Sequence, residues 1–271
     1  MQILYPKHPI YPVQADEPYQ EEYLYFKSAG INCVLFDYDA LSYGEFKPKP
    51  PLENGQQVLY RGWMLNAESY HNLTQAVKKK RGCPVTNLET YLKCHYISGW
   101  YEVCRDFTPE TYLFAVDEKL EENIAALGWE EFFVKDYVKS NTTAIGSIAR
   151  SAQEAVKIVG LIKEFRGEVE GGVAIRRVES FTPGTEARYF VMRGKAYSRH
   201  GKELPEVVAS VAKRIVSPFY SVDIAQTVKG DWRIVELGDG QVSDKKEWKT
   251  AEFCHILIEN SQSLGLAEEP L

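Results

Sequence analysis

Apolar positions along this chain come in short bursts, and their spacing alternates between strand and helix periods. Ile3-Leu4-Tyr5 is a brief apolar run that ends at Pro6. Asp16 then precedes a stretch carrying Tyr19, Tyr23 and Phe26 on one helical face, closed by Gly30. Ile31 to Phe36 follows as a buried strand. This strand–helix–strand order implies a parallel sheet with a right-handed crossover. Residues 44–57 are rich in Pro, Gly and charge and read as a loop, Val58 to Trp63 as a further strand, and Glu68 to Arg81 as a helix. Together they predict an α/β lobe ending near residue 100.

The pattern then changes. Asp117 caps a predicted helix that stops at Gly128, and Phe132-Phe133-Val134 runs straight into Lys135. A polar, small-residue stretch, Lys139-Ser140-Asn141-Thr142-Thr143, leads to Gly146. Ile148, Ala152, Ala155, Val156, Val159 and Ile162 recur at helical spacing, and Val173 to Arg177 is a strand. Two hairpins follow: Glu186 to Met192 returning through Gly194-Lys195, and Phe219 to Ala225 returning as Trp232 to Leu237. Val207, Val208, Val211, Ala212 and Ile215 mark a helix, and another surrounds Phe253 to Ile258. The reading is α/β overall, α+β in the C-terminal half, in three parts: 1–100, 101–180 and 181–271.

The final hairpin carries the most suggestive chemistry. Ser221, Asp223 and Ala225 alternate onto one strand face, and Trp232, Ile234 and Glu236 share a face of the partner strand. A turn centred on Gly230-Asp231 makes Asp223 and Glu236 diagonal neighbours on one face, ~7–8 Å apart; an odd-numbered loop would send them to opposite faces. Two converging carboxylates are tolerable when a cation lies between them, and oxygen-only ligands suit Mg²⁺. Gly238-Asp239-Gly240 adds a third acid and a flexible backbone. By spacing alone, a surface hairpin with scattered acids fits equally well.

Net charge is −6 over 271 residues, which argues against a broad nucleic-acid surface. The five cysteines form no CxxC and the five histidines no metal ladder, so neither a disulfide framework nor a structural zinc site is expected. No apolar run spans a bilayer and the N-terminus lacks a secretory pattern, so the expected location is the cytoplasm. Against that acidic background, fixed cations stand out. Lys135 ends an apolar strand, as an edge lysine or as a phosphate contact. Glu186 and Arg188 share a strand face. Arg61 ends a strand of the first lobe, in a surface salt bridge or gripping a carboxylate.

Taken in order, Phe133-Val-Lys135 with its small-residue loop, Gly172 to Glu179, Gly184 to Val191, Val222-Asp-Ile-Ala and Trp232 to Gly240 resemble the ATP-grasp superfamily over roughly residues 105–250. The Asp-to-Glu spacing of 13 fits that family's metal strands. The resemblance implies ATP and Mg²⁺ as cofactors, with the nucleotide between two α+β lobes. It places Lys135 on the ATP phosphates and Lys139 in the loop covering them. Arg177-Val178-Glu179 would be the hinge beside adenine, and Glu186 would lie near the ribose. Arg188 would stabilise phosphate or the transition state, and Asp223 and Glu236 would hold the metal. Where relatives carry Asn two residues after the metal Glu, this chain has Gly238, for which Asp239 is the candidate replacement. The implied activity is a carboxylate–amine ligase working through an acylphosphate on an amino acid or peptide, with Arg61 in the second-substrate site. The alternatives are a nucleotidyl transferase with Lys135 as nucleophile, or a non-catalytic nucleotide-binding module. Oligomeric state is not fixed by the sequence.

Overall fold

The computed structural model describes residues 1–138 and 146–262. Lys139 and the rest of the expected phosphate-covering loop lie outside the described residues. Three four-stranded sheets organise the chain.

The first is the expected parallel sheet. β1 (Gln2–Pro6) is followed by α1 (Gln20–Ser28), β2 (Cys33–Phe36), α2 (Tyr38–Ser42), β3 (Gln57–Tyr60), α3 (Ala67–Lys79) and the short β4 (Cys83–Pro84), in the order β2-β1-β3-β4. Its strands are nearly all buried, as expected of a sheet covered on both faces. Asp16 caps a single 3₁₀ turn rather than α1 itself, while Asn66 caps α3 by accepting from the Ser69 N–H.

Two helices follow, α4 (Leu88–His95) and α5 (Ile97–Cys104). By sequence they fall at the end of the first lobe, yet Cys94, Ile97, Trp100 and Cys104 pack on one face of the last sheet.

The middle sheet comprises β5 (Thr111–Phe114), then, after α6 (Leu120–Ala125), β6 (Phe132–Asp136) and β7 (Ile148–Ala149), and finally, after α7 (Ala152–Arg166), β8 (Val173–Arg177). Its order is β5-β8-β6-β7, antiparallel throughout. The predicted helix over 148–162 therefore starts later. Ile148 and Ala149 pair with β6, and Ser151 caps α7 through the Glu154 N–H.

The last sheet, β10-β9-β11-β12, is built from β9 (Ala187–Met192), β10 (Lys195–Tyr197), β11 (Phe219–Gln226) and β12 (Trp232–Asp239), with α8 (Glu206–Arg214) before β11. Tyr220, Val222 and Ile224 face α5 and α8. Phe190, Met192 and Phe219, on the other face, pack against α9 (Thr250–Gln262) and on into the first lobe through Tyr5, Tyr23 and Phe26. The C-terminal helix thus fastens the first lobe to the last sheet.

Candidate functional site

The site is a row of charged side chains across the last sheet. Asp223 at the middle of β11 is opposite Arg188 on β9 and opposite Glu236 on β12. Directly paired residues lie on one face, so the two carboxylates are cross-strand neighbours rather than the expected diagonal ones. The reason is a β-bulge. Gln226 pairs with Trp232 across a five-residue loop, and Ile224 with Ile234, but Asp223 pairs with Glu236, leaving Val235 over. An odd loop alone would have thrown Glu236 to the far face; the extra residue returns it. It also separates Ile234 from Glu236, which the alternating pattern had placed on one face. Ile234 and Leu237 both point into the core beneath α5 and α8.

Arg176, seen in the sequence only as a strand residue, holds this bulge. Its Nη1 donates to the Val235 carbonyl at 2.7 Å, and Thr108 Oγ1 donates to the Ile234 carbonyl at 2.9 Å. Burial lowers the Arg176 guanidinium to about 10, against the pull of Glu236 and Glu179. A buried arginine aimed at backbone carbonyls of another sheet has no sequence signature beyond its presence on an apolar strand.

Like charges side by side need cations, and three converge here. Arg188 grips Asp223 with two parallel bonds, Nε to Oδ1 and Nη2 to Oδ2, both 2.7 Å, while its Nη1 reaches Asp244. Lys246 Nζ donates to Asp223 Oδ2 at 2.9 Å. Lys135, almost fully buried on β6, donates to Glu236 Oε1 at 3.1 Å. Burial alone would push the Asp223 carboxyl up; Arg188 and Lys246 outweigh it and hold the group below its ordinary value.

Two clefts meet along this row. One, of about 430 Å³, is a largely apolar slot between the middle and last sheets, walled by Phe133, Ile148, Val178, Phe181, Ala225 and Val235. Arg177, Glu179 and Glu186 stand at its edges. Glu179 forms a two-bond ion pair with Arg233, at 2.7 and 2.9 Å, and Arg177 pairs with Glu110 in solvent. The other cleft, of about 720 Å³, opens between the last sheet and the first lobe. Asp223, Glu236, Arg188 and Lys246 line it, facing Tyr19, Trp63 and Met64.

Two expected site residues have other work. Asp239 does not join the acidic pair. Three residues beyond Glu236, it lies fully buried, its Oδ1 accepting from the Gln241 backbone and side-chain N–H groups while its Oδ2 has no partner. Burial raises its carboxyl to about 7. Among the described residues no cluster of three or more acids, histidines or cysteines forms. Nor does Asp239 fill the position of the missing Asn. A side chain on Gly238 would begin 2.9 Å from Ser243 Oγ and 3.1 Å from Ser221 Oγ, so two serine hydroxyls occupy that space. Arg61 likewise does not grip a substrate. It is fully buried, with Nε and Nη2 on Glu22 at 3.1 and 2.8 Å and Nη1 on the carbonyls of Gly240, Gln241 and Ser243. It clamps the loop after β12 to the first lobe.

What remains fits a divalent cation. Asp223 and Glu236 offer hard carboxylate oxygens on one face, and Mg²⁺ commonly takes one or two carboxylates and completes its shell with water and phosphate.

Comparison with known proteins agrees with this architecture. Residues 126–257 match the model of an ATP-grasp domain, the third family of its clade. No curated protein sequence matches the chain. The crystal structure of the D-cycloserine synthetase DcsG superposes with a TM-score of 0.64 at 12% identity, covering 96% of this chain and 99% of that one. D-alanyl-alanine synthetase A from Vibrio cholerae O1 biovar eltor gives 0.62 at 11% identity, covering 97% and 98%. The ATP-grasp ligase PsnB, complexed with a phosphomimetic variant of a minimal precursor, Mg and ADP, gives 0.61 at 12% identity, covering 96% and 97%. Such distant likenesses speak for the fold, and with the matched domain they establish that the chain belongs to the ATP-grasp superfamily.

Proposed function

We propose that this protein is a Mg-ATP-dependent ligase that joins a carboxylate to an amine through an acylphosphate, acting on an amino acid or peptide. The observation that carries the reading is the Arg188–Asp223–Glu236 row, set between an apolar slot and a second cleft. The slot suits adenine, with the Arg177-Val178-Glu179 segment as hinge and Glu186 placed for ribose hydroxyls. In this reading the first lobe and the two ATP-grasp lobes divide near residues 100 and 180. The relatives named above include a peptide-bound ligase and an amino-acid synthetase, which supports the substrate class.

Asp223 and Glu236 would hold Mg²⁺, which when bound neutralises charge across the ATP phosphates. Lys135 and Arg188 are fixed cations beside it, preorganised by their carboxylate partners to meet the developing charge. A substrate carboxylate oxygen attacks the γ-phosphorus and ADP leaves. An amine nitrogen then attacks the acyl carbon, and inorganic phosphate leaves as the amide forms. Tyr19, Trp63 and Met64 shield the second cleft, where water would otherwise compete for the intermediate.

The test is thermal unfolding with a non-hydrolysable ATP analogue, with and without Mg²⁺. Saturation at 100 times the dissociation constant adds ~2.7 kcal/mol. We expect a Mg²⁺-dependent rise in the wild type that Glu236→Gln abolishes, followed by hydroxamate formation when hydroxylamine is offered with the correct carboxylate. No shift at millimolar nucleotide would sink the assignment.

A further inference from the structure

Lys246 touches both clefts. Its Nζ donates to Asp223 Oδ2 at 2.9 Å and to Glu186 Oε1 at 2.7 Å. Asp223 lines the carboxylate cleft and Glu186 the apolar slot, so one ammonium bridges the two. The loop that carries it is pinned upstream by Arg61. At Lys246 the backbone turns left-handed, with φ +44, a conformation that residues other than glycine seldom adopt and that persists where the surroundings impose it.

The three contacts on Asp223 are not equivalent. Arg188 holds both carboxylate oxygens as a rigid fork, is mostly buried, and is anchored at its third nitrogen by Asp244. Lys246 is a point charge on a flexible stem, its side chain 26% exposed. It can leave Asp223 without dismantling the fork. An ammonium and a divalent cation repel each other strongly at such range and cannot both sit on Oδ2.

We propose that Lys246 is the resident counter-cation of the metal seat: it occupies Asp223 until a divalent ion displaces it, and its second tether, Glu186, sets how readily it goes. The proposal rests on reading Asp223 and Glu236 as metal ligands. Ribose hydroxyls that engage Glu186 weaken that tether, so nucleotide and metal each favour the other's binding, as linkage requires. Once displaced, the ammonium lies between the slot and the carboxylate row, beside the expected path of the phosphates.

The measurement is a Mn²⁺ titration of the full chain without nucleotide, followed by electron paramagnetic resonance. Lys246→Met should bind Mn²⁺ on the order of tenfold tighter than wild type, a typical size for coupled binding. Glu186→Gln should give part of that gain. Lys245→Met, which removes a neighbouring charge paired with Glu21 rather than with the row, should give none. Adding Asp223→Asn to Lys246→Met should erase the gain. Equal affinity in wild type and Lys246→Met, or an equal gain in Lys245→Met, overturns the proposal. The ligase reading is judged separately, by nucleotide binding: a tenfold gain with no nucleotide bound leaves the counter-cation standing and the ligase reading fallen.

Discussion

Asp239→Asn should make the protein more stable at neutral pH and flatten its stability profile. The native carboxyl is fully buried and raised to about 7, with one oxygen unpartnered, whereas an unfolded aspartate titrates near ~3.9. Between those values the folded state binds more protons than the unfolded one, so stability falls as pH rises. This favourable contribution is complete below about pH 4, declines through pH 7 and is then exhausted. From pH 5 to pH 8 the loss amounts to roughly 2.6 kcal/mol, from about 1.36 kcal/mol per pH unit with the curve levelling near 7. Asn cannot titrate, so the stability of Asp239→Asn relative to wild type should grow by about that amount over the same interval. Urea unfolding of both proteins at pH 5, 6, 7 and 8 measures it, and the difference between variants cancels groups that titrate alike in both. A difference independent of pH would refute the argument, because it would mean that Asp239 is ionised throughout or reaches a partner.

Two further outcomes follow from packing. Arg61→Ala should cost about 3–5 kcal/mol in denaturant unfolding, because it leaves Glu22 buried and uncompensated, whereas Arg61→Met with Glu22→Leu should recover much of that loss. Gly240→Ala should destabilise by about 1–3 kcal/mol, since its added carbon would lie 2.5 Å from the Phe219 ring; an unchanged unfolding midpoint would show that the ring can yield.

Much of this molecule is legible in its sequence because alternation and capping are local. The βαβ start, both C-terminal hairpins and the opposed faces of β11 can be read from spacing. The shared face of Asp223 and Glu236 can also be read, but for an incomplete reason. A turn at Gly230-Asp231 gives the right face only because the odd loop and the bulge at Val235 cancel. A trace of the bulge exists in the three-residue interval between Ile234 and Leu237, both core residues, which a regular strand forbids. Asp239 and Arg61 look like site residues because charge next to glycine, or at a strand end, is where sites occur. Their actual roles depend on contacts across some 180 residues, such as Arg61 to Gly240 and Tyr70 to Gln241, which no local pattern encodes. The packing of α4 and α5 on the last sheet is hidden for the same reason.

The grip of Arg176 on the Val235 carbonyl has a mechanical corollary. Thr108 bonds the neighbouring Ile234 carbonyl, and Arg233 reaches back to Glu179 and to the Thr108 carbonyl, so the contacts between the middle and last sheets gather at one end of the slot. The opposite rim is formed by Ile148 on the exposed edge strand β7. A swing of the middle sheet would therefore turn about Arg176 as its axle, with β7 as the far end of the lever. Such a motion widens the mouth of the slot while leaving the bulge, and the carboxylate beside it, where they are.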